Sequence, residues 1–416
     1  MTKKSFFISA LVVLVQYYDY HLFGFMAAKI SEYFFPTNES IIQLLNTYII
    51  LWLGIIAKPV GALILGKIGD LKGRSSSFTI SLIASSIASL AIYLTPSYQQ
   101  IGMFAVFILL SYRLVVCAFA SSGSDGVRIF IYEHIHPKNQ CLGVGLTALF
   151  TMLGSLIASF SVWFFTLKTI PDDSWRFSFL VGSILGIIAI ITMYLMKFSD
   201  SIKIAKHQDF DKFKSLSVRQ IINKQQSLFI LCLILAGSIG ASHQFIIIFF
   251  GTYNFKILHT IDHSTMKLFI AGSIITYMIF AVISGFIADK FNRYKTTIFG
   301  VIGVVSCSIW QGYFLSQNKT NPYLFMATTI FLPFITIPAA AIFKAAIPIS
   351  IRYRIFSLSH AVGSIIISAP TAFICTFIYQ QTNLSWLPIY YFITIILVIS
   401  YVLYKLHLRI TNSNIK

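Results

Sequence analysis

Charge is scarce in this chain and acid scarcest of all: 11% of its 416 residues are charged, with 13 Asp and Glu against 31 Lys and Arg. A water-soluble protein of this size needs a far more polar surface, so that class is excluded. Cysteine is equally sparse. Cys117, Cys141, Cys232, Cys307 and Cys375 fall in or near apolar stretches without a CxxC, which leaves no support for a disulfide framework or a zinc site. His134 and His136, in HIHP, have no thiolate or carboxylate cluster beside them in sequence and mark a polar helix exit rather than a metal site. A phosphate loop is also missing. Residues 61–67 read GALILGK, but Ile68 stands where GxxxxGK[ST] requires a hydroxyl, so an ATP-hydrolysing pump is not expected. Nor does any loop supply enough chain for a catalytic domain, and no cofactor is expected.

What the chain has instead is apolar bulk: 57% hydrophobic residues, including 39 Phe and 21 Tyr. They gather in segments of roughly 20 residues, the length that crosses a bilayer as a helix. Twelve spans are expected, at 7–33, 44–66, 76–95, 101–130, 141–167, 176–197, 226–254, 265–288, 296–316, 322–348, 354–379 and 386–405. An even number places both termini on one side. With the N-terminus cytoplasmic, twenty-two Lys and Arg fall on the inner side and only Lys168, Lys256, Lys267 and Lys319 on the outer. That asymmetry assigns both termini to the cytoplasm. It also accounts for the formal charge of +18 as a set of short basic loops at one membrane surface, so nucleic acid is not an expected partner. The MTKKS start resembles the charged region of a signal peptide, but Asp19 interrupts the apolar run and no small-residue cleavage pattern follows. The first span is expected to be retained.

Two stretches, GKIGDLKGR at 66–74 and GFIADKFNR at 285–293, share G-x-x-[GA]-D-[KL]-x-x-R and lie 219 residues apart. They occupy matching addresses, between spans 2 and 3 and between spans 8 and 9. The chain therefore reads as two related halves, 1–197 and 226–416, joined by a polar cytoplasmic linker at 198–225. In each turn the acid, Asp70 or Asp289, is placed to accept hydrogen bonds from a helix N-terminus or to pair with Arg74 or Arg293. Such a clasp can hold one arrangement of the bundle and release another.

Ionisable groups inside spans are costly and mark function or pairing. Asp19, Lys58 and Arg113 fall near mid-depth and are the candidates for substrate binding or proton coupling, with Asp19 expected to pair with a cation or to carry a proton. Arg113 can hold a carboxylate through two parallel donors, which Lys58 cannot. His243 and Lys344 join this group from the second half, and His360 is ambiguous between a proton-exchanging and a structural role. Asp125 and Arg128, three apart on one helical face, are expected to form an inner-gate network with Asp70, continued by Glu133. Trp175 and Arg176 are assigned to anchoring the outer start of span 6.

Four stretches carry a resemblance to a known family: QYYDYHLFGFMAAKISEYFFP at 16–36, GKIGDLKGRS at 66–75, YRLVVCAFASSGSDGVRIFIYEHIHP at 112–137 and SWRFSFLVG at 174–182. With the repeated turn, they resemble the major facilitator superfamily, and within it the metabolite:proton symporter family of proline/betaine, citrate, shikimate and 2-oxoglutarate permeases. The third stretch departs from that family's Gly-Gly-Glu, having Ser124-Asp125 for Gly-Glu, and Asn292 replaces a Gly before Arg293. The resemblance implies an all-α membrane protein of two six-helix bundles, with a central site between them. It further implies alternating access, with the proton as coupling ion. The partners are then a small organic solute (a carboxylate, proline or betaine) and membrane lipid, in a plasma membrane of the bacterial inner-membrane type. One twelve-helix chain is a sufficient unit, although its oligomeric state is not determined. Uniport or exchange satisfies the same charge placement; a membrane sensor or a membrane enzyme would want an added domain or clustered catalytic groups.

Overall fold

The computed structural model describes residues 2–35, 47, 49–50, 53–167, 169–196 and 217–413. Most of the expected linker (residues 197–216), part of the second expected span (44–46, 48, 51 and 52) and Lys168 lie outside the described residues. Within them the protein is helical throughout. The principal helices are α1 (Lys3–Phe25), α2 (Ala27–Phe34), α3 (Lys58–Leu71), α4 (Arg74–Leu94), α5 (Met103–His134), α6 (Gln140–Phe165) and α7 (Phe177–Leu195). After the linker come α8 (Gln226–Gln244), α9 (His263–Lys290), α10 (Arg293–Ser316), α11 (Pro322–Phe331), α12 (Pro333–Ala345), α13 (Arg352–Gly363), α14 (Thr371–Thr382) and α15 (Leu387–Ser413).

Eleven helical stretches among the described residues are long and apolar enough to cross a membrane. Their exposed side chains are the inverse of a soluble protein's: Phe104, Leu268 and Phe373 are all more than two-thirds exposed. Such a surface suits lipid contact.

Several expected spans are interrupted, for local reasons. The span expected at 322–348 divides at Leu332 because Pro333 has no N–H for the Thr329 carbonyl. Between α13 and α14 the chain makes a π turn at Ser364–Ser368, where the Ala369 N–H reaches back to the Ser364 carbonyl at 2.8 Å, immediately before Pro370. Lys58 sits at the start of α3 with Pro59 in the first helical turn, where its missing N–H costs nothing.

The chain forms two compact units. One comprises Met1–His134, Phe150–Ile221 and Ile349–Ala361; the other comprises Ile135–Leu149, Ile222–Pro348 and Val362–Lys416. The first is centred on an aromatic core in which Trp175 packs edge-on against Phe179 and Phe34, with Tyr18 and Tyr112 buried nearby. Trp175 thus anchors the start of α7 by burial. In the second unit, stacked pairs Phe245–Phe392 and Phe250–Phe325, at 4.5 and 4.6 Å, hold the helices. Small residues set the tightest crossings. A Cβ at Gly61 would overlap the Ala118 carbonyl, and one at Gly145 the Ala281 carbonyl.

Candidate functional site

The first repeated turn closes on a segment far along the sequence. Asp70, at the end of α3, accepts from the Tyr353 and Arg354 N–H groups at 3.3 and 3.1 Å and from Arg354 Nε at 3.1 Å, and it pairs with Arg74. These N–H groups open α13, so the carboxylate caps a helix whose dipole favours a negative charge there. Arg74 also contacts Glu133 at 3.2 Å, and Glu133 pairs with Arg352 at 3.1 Å. Between them lies Tyr353, fully buried, with its hydroxyl donating to the Ser122 carbonyl at 2.6 Å and Arg74 over its ring at 5.3 Å. Gly69 and Gly126 leave the room it occupies, since a Cβ on either would overlap the Tyr353 side chain.

Asp125 belongs to a separate cluster. It accepts from Arg128 at 3.1 Å and from Ser357 at 3.2 Å, and lies 2.9 Å from His360 Nδ1. Arg128 in turn contacts the Tyr17 hydroxyl and covers its ring. The single Asp70–Asp125–Arg128 network expected from sequence is therefore two clusters, one holding Asp70 and Glu133 and the other Asp125. Both close on residues of the segment Ile349–Ala361, which explains why that segment joins the first unit.

The second repeated turn does the same in the other unit. Asp289 accepts from the Cys141 and Leu142 N–H groups at 3.0 and 2.7 Å, capping α6, while Arg293 stands 3.9 Å from Asp289 and donates to Gln140 at 2.9 Å. Asn292, where the resembled family has Gly, caps α10 by accepting from Tyr294 and Lys295. Deleting the Asp289 cap should loosen the start of α6 by about 0.5–2 kcal/mol. In a variant retaining Cys141 as its sole cysteine, Asp289→Ala is expected to speed alkylation of that buried thiol by a membrane-permeant maleimide. An unchanged rate would show that the cap does not hold α6.

Asp19, Lys58 and Arg113 are divided by the helical turn between adjacent positions of α1. Asp19 is fully buried, receives the Ser89 hydroxyl on Oδ1 at 2.9 Å and lies against Gly182; its Oδ2 has no hydrogen-bond partner within 3.5 Å, and the Ser85 hydroxyl also bears on the carboxyl group. No cation stands within 4 Å of it among the described residues. Lys58 and Arg113 gather instead on Tyr20, at 5.0 and 5.3 Å from its ring centre. Arg113 also lies 5.2 Å from the Phe23 ring, donates to the Tyr20 carbonyl at 3.1 Å and leaves Nε buried without a partner. The expected pairing of Asp19 with either cation is absent because successive residues of a helix point about 100° apart.

In the second unit His243 Nε2 lies 3.3 Å from the Tyr277 hydroxyl, which is 2.9 Å from Thr336. Lys344 is buried, donates to the Ala340 carbonyl of its own helix at 3.1 Å and interacts electrostatically with Cys141. It thus sits by the second repeated turn. Arg352 and Arg354, which in sequence are two of the twenty-two inner-side basic residues, and Tyr353 and Ser357 carry no motif that singles them out. The available signal was the density of polar groups in RYRIFSLSH at the start of an otherwise apolar span.

The Major Facilitator Superfamily model matches residues 9–309. The chain is 24% identical over 427 residues to the putative proline/betaine transporter of Staphylococcus aureus (strain COL), an alignment covering 100% of this chain and 90% of that protein. It is 21% identical over 420 residues to the glycine betaine/proline/ectoine/pipecolic acid transporter OusA of Dickeya dadantii, covering 94% and 81%. Among solved structures, the proton:xylose symporter XylE aligns with a TM-score of 0.73 at 13% identity, covering 97% of this chain and 95% of that one. A bacterial homologue of the iron transporter ferroportin aligns with a TM-score of 0.69 at 13% identity, covering 97% and 99%. Such low structural identities speak for the fold alone. The family match over most of the chain does more: this multi-pass membrane protein belongs to the major facilitator superfamily and is a secondary transporter of a small solute.

Proposed function

We propose that the protein imports a small polar organic solute bearing a carboxylate, such as an organic acid, proline or betaine, together with protons by alternating access. The supporting observation is the Tyr20 cluster. Lys58 and Arg113 are buried with no carboxylate within 4 Å among the described residues, and Arg113 keeps an unused donor. Neither cation has a carboxylate at ion-pair distance, Asp125 acting on Lys58 only from farther off, and a solute carboxylate relieves the cost of burying them. Because the Tyr20 ring already faces both cations, it is not free for a quaternary ammonium group. The cluster therefore favours the carboxylate end of a zwitterion. The names of the relatives from Staphylococcus aureus and Dickeya dadantii support proline and betaine-like solutes within this class. His243 is the candidate contribution from residues 226–416.

In this reading the twelve spans form two six-helix halves with both termini cytoplasmic, in a bacterial inner membrane. Asp70 and Asp289 clasp the cytoplasmic face, and transport requires both clasps to open. Asp19 carries the proton, its unpartnered oxygen being where that proton resides.

The solute class is tested by competition among labelled proline, glycine betaine, 2-oxoglutarate and citrate in proteoliposomes. Arg113→Lys exchanges the guanidinium fork for a point charge. It is expected to raise the half-saturation concentration of the transported carboxylate about tenfold, corresponding to loss of one charge-assisted hydrogen bond. Unchanged half-saturation would remove Arg113 as the carboxylate clamp.

A further inference from the structure

We propose that a column of buried hydroxyls on α4 carries the Asp19 proton toward the first clasp, with Ser89, Ser85, Ser81 and Ser77 as its stations, Gln16 orienting its middle and Tyr353 as its stopper. The inference rests on the reading of Asp19 as the proton carrier and supplies the route that a fully enclosed carboxyl group needs.

The four serines recur at every fourth residue, so they share one face of α4, and all are fully buried. At one end the Ser89 hydroxyl donates to Asp19 Oδ1 at 2.9 Å. At the other, Ser77 Oγ lies 3.3 Å from the Tyr353 hydroxyl. From Ser77 to Ser89 the helix rises about 18 Å, so the column joins the mid-depth acid to the clasp. In its middle, Gln16 Nε2 donates to Ser81 Oγ at 2.6 Å. Ser81 gives its own proton to the Phe78 carbonyl at 2.9 Å and can only accept from Gln16, which fixes the amide orientation.

Close helix packing alone would account for small residues on this face. It would not account for the two polar side chains of α1, three residues apart, that meet the serine face. Gln16 Oε1 and Asp19 Oδ2 are both buried and without hydrogen-bond partners. Buried oxygens without a protein partner are rare and call for an arriving proton or a bridging water. Room for both side chains comes from glycine: a Cβ at Gly123 would overlap Gln16 and Ser81, and one at Gly182 would overlap Asp19.

Side chains four apart on a helix stand about 5–6 Å from one another, a gap that one water bridges with a hydrogen bond on each side. In the relay each oxygen releases its own proton onward as it takes one. The net change is one proton lost from Asp19, left as carboxylate, and one gained by water beyond Tyr353. The titratable and charged groups about the column are Asp19, Tyr18 and Tyr112 at one end, and Tyr353, Arg74, Asp70 and Asp125 at the other. Tyr353 donates its proton to the Ser122 carbonyl while the clasp is closed, so the column is blocked until the clasp opens. Proton release is thereby tied to the conformational step.

The test is hydrogen–deuterium exchange of the Asp19 carboxyl group, followed by infrared spectroscopy on the full chain in lipid and assigned by difference against Asp19→Asn. The Ser81→Ala/Ser85→Ala double variant is expected to slow exchange about tenfold or more, since exchange must then await local opening of the bundle. Gln16→Leu should slow it in the same direction. Ser86→Ala, which deletes a buried hydroxyl one residue off the column, should exchange at the wild-type rate. Thermal unfolding confirms that each variant is folded, and Gln16→Leu carries the test if the double variant is not. Wild-type exchange in the folded column variants, or equal slowing in Ser86→Ala, overturns the proposal. A spectrum with no Asp19 carboxyl band at any pH overturns the proton-carrier reading and the route with it.

Discussion

Asp70→Ala is expected to lower solute uptake at least tenfold, far more than Asp289→Ala. The two turns share a sequence pattern but not a load. Asp70 is enclosed with two guanidinium groups and two backbone N–H groups on its oxygens. Its removal leaves Arg74 and Arg354 buried without that carboxylate, and breaking a buried ion pair from one side costs about 3–5 kcal/mol. A penalty of that size moves the balance between clasped and unclasped states by about two to four orders of magnitude. Asp289 caps a helix with two N–H groups, and its arginine stands off at 3.9 Å. Initial uptake rates at matched incorporation into proteoliposomes measure the difference. Equal effects of the two substitutions would show that the charges on Asp70 add nothing to a simple helix cap.

The repeat was legible in sequence because its Asp and Arg are fixed by local spacing, and so were the apolar spans, which any bilayer helix must display. What the acids touch was not legible. Asp70 meets α13 and Asp289 meets α6, partners more than one hundred residues away in the chain, and no local pattern names them. Counting depth along spans brought Asp19, Lys58 and Arg113 to one level. It could not supply rotation, and rotation sends Asp19 to Ser89 while Tyr20 takes both cations. Tyr353 was hidden for another reason: in a chain with 21 tyrosines, one more at a helix start carries no distinguishing signal.

Asp19→Asn should abolish proton-driven accumulation while leaving solute exchange nearly intact. The asparagine keeps the shape of the side chain and can still accept from Ser89, so the bundle is not asked to repack. It cannot take up and release a proton. With one proton per solute, a pH difference of about 2 units supports about 100-fold accumulation, because each unit is worth a factor of ten. The variant is expected to stop at equal concentrations inside and out, yet to exchange labelled for unlabelled solute at close to the wild-type rate. Accumulation at the wild-type ratio would remove Asp19 from coupling and assign it to Asp125, the buried acid with an imidazole partner in His360.

The account is tested most directly by uptake into proteoliposomes of the unmodified protein under an imposed proton gradient, acid outside, with labelled glycine betaine, proline, 2-oxoglutarate and citrate in turn. It predicts that at least one of these solutes accumulates above its external concentration and that a protonophore collapses the excess. Plateaus that are the same with and without the gradient, for every solute transported, would contradict it.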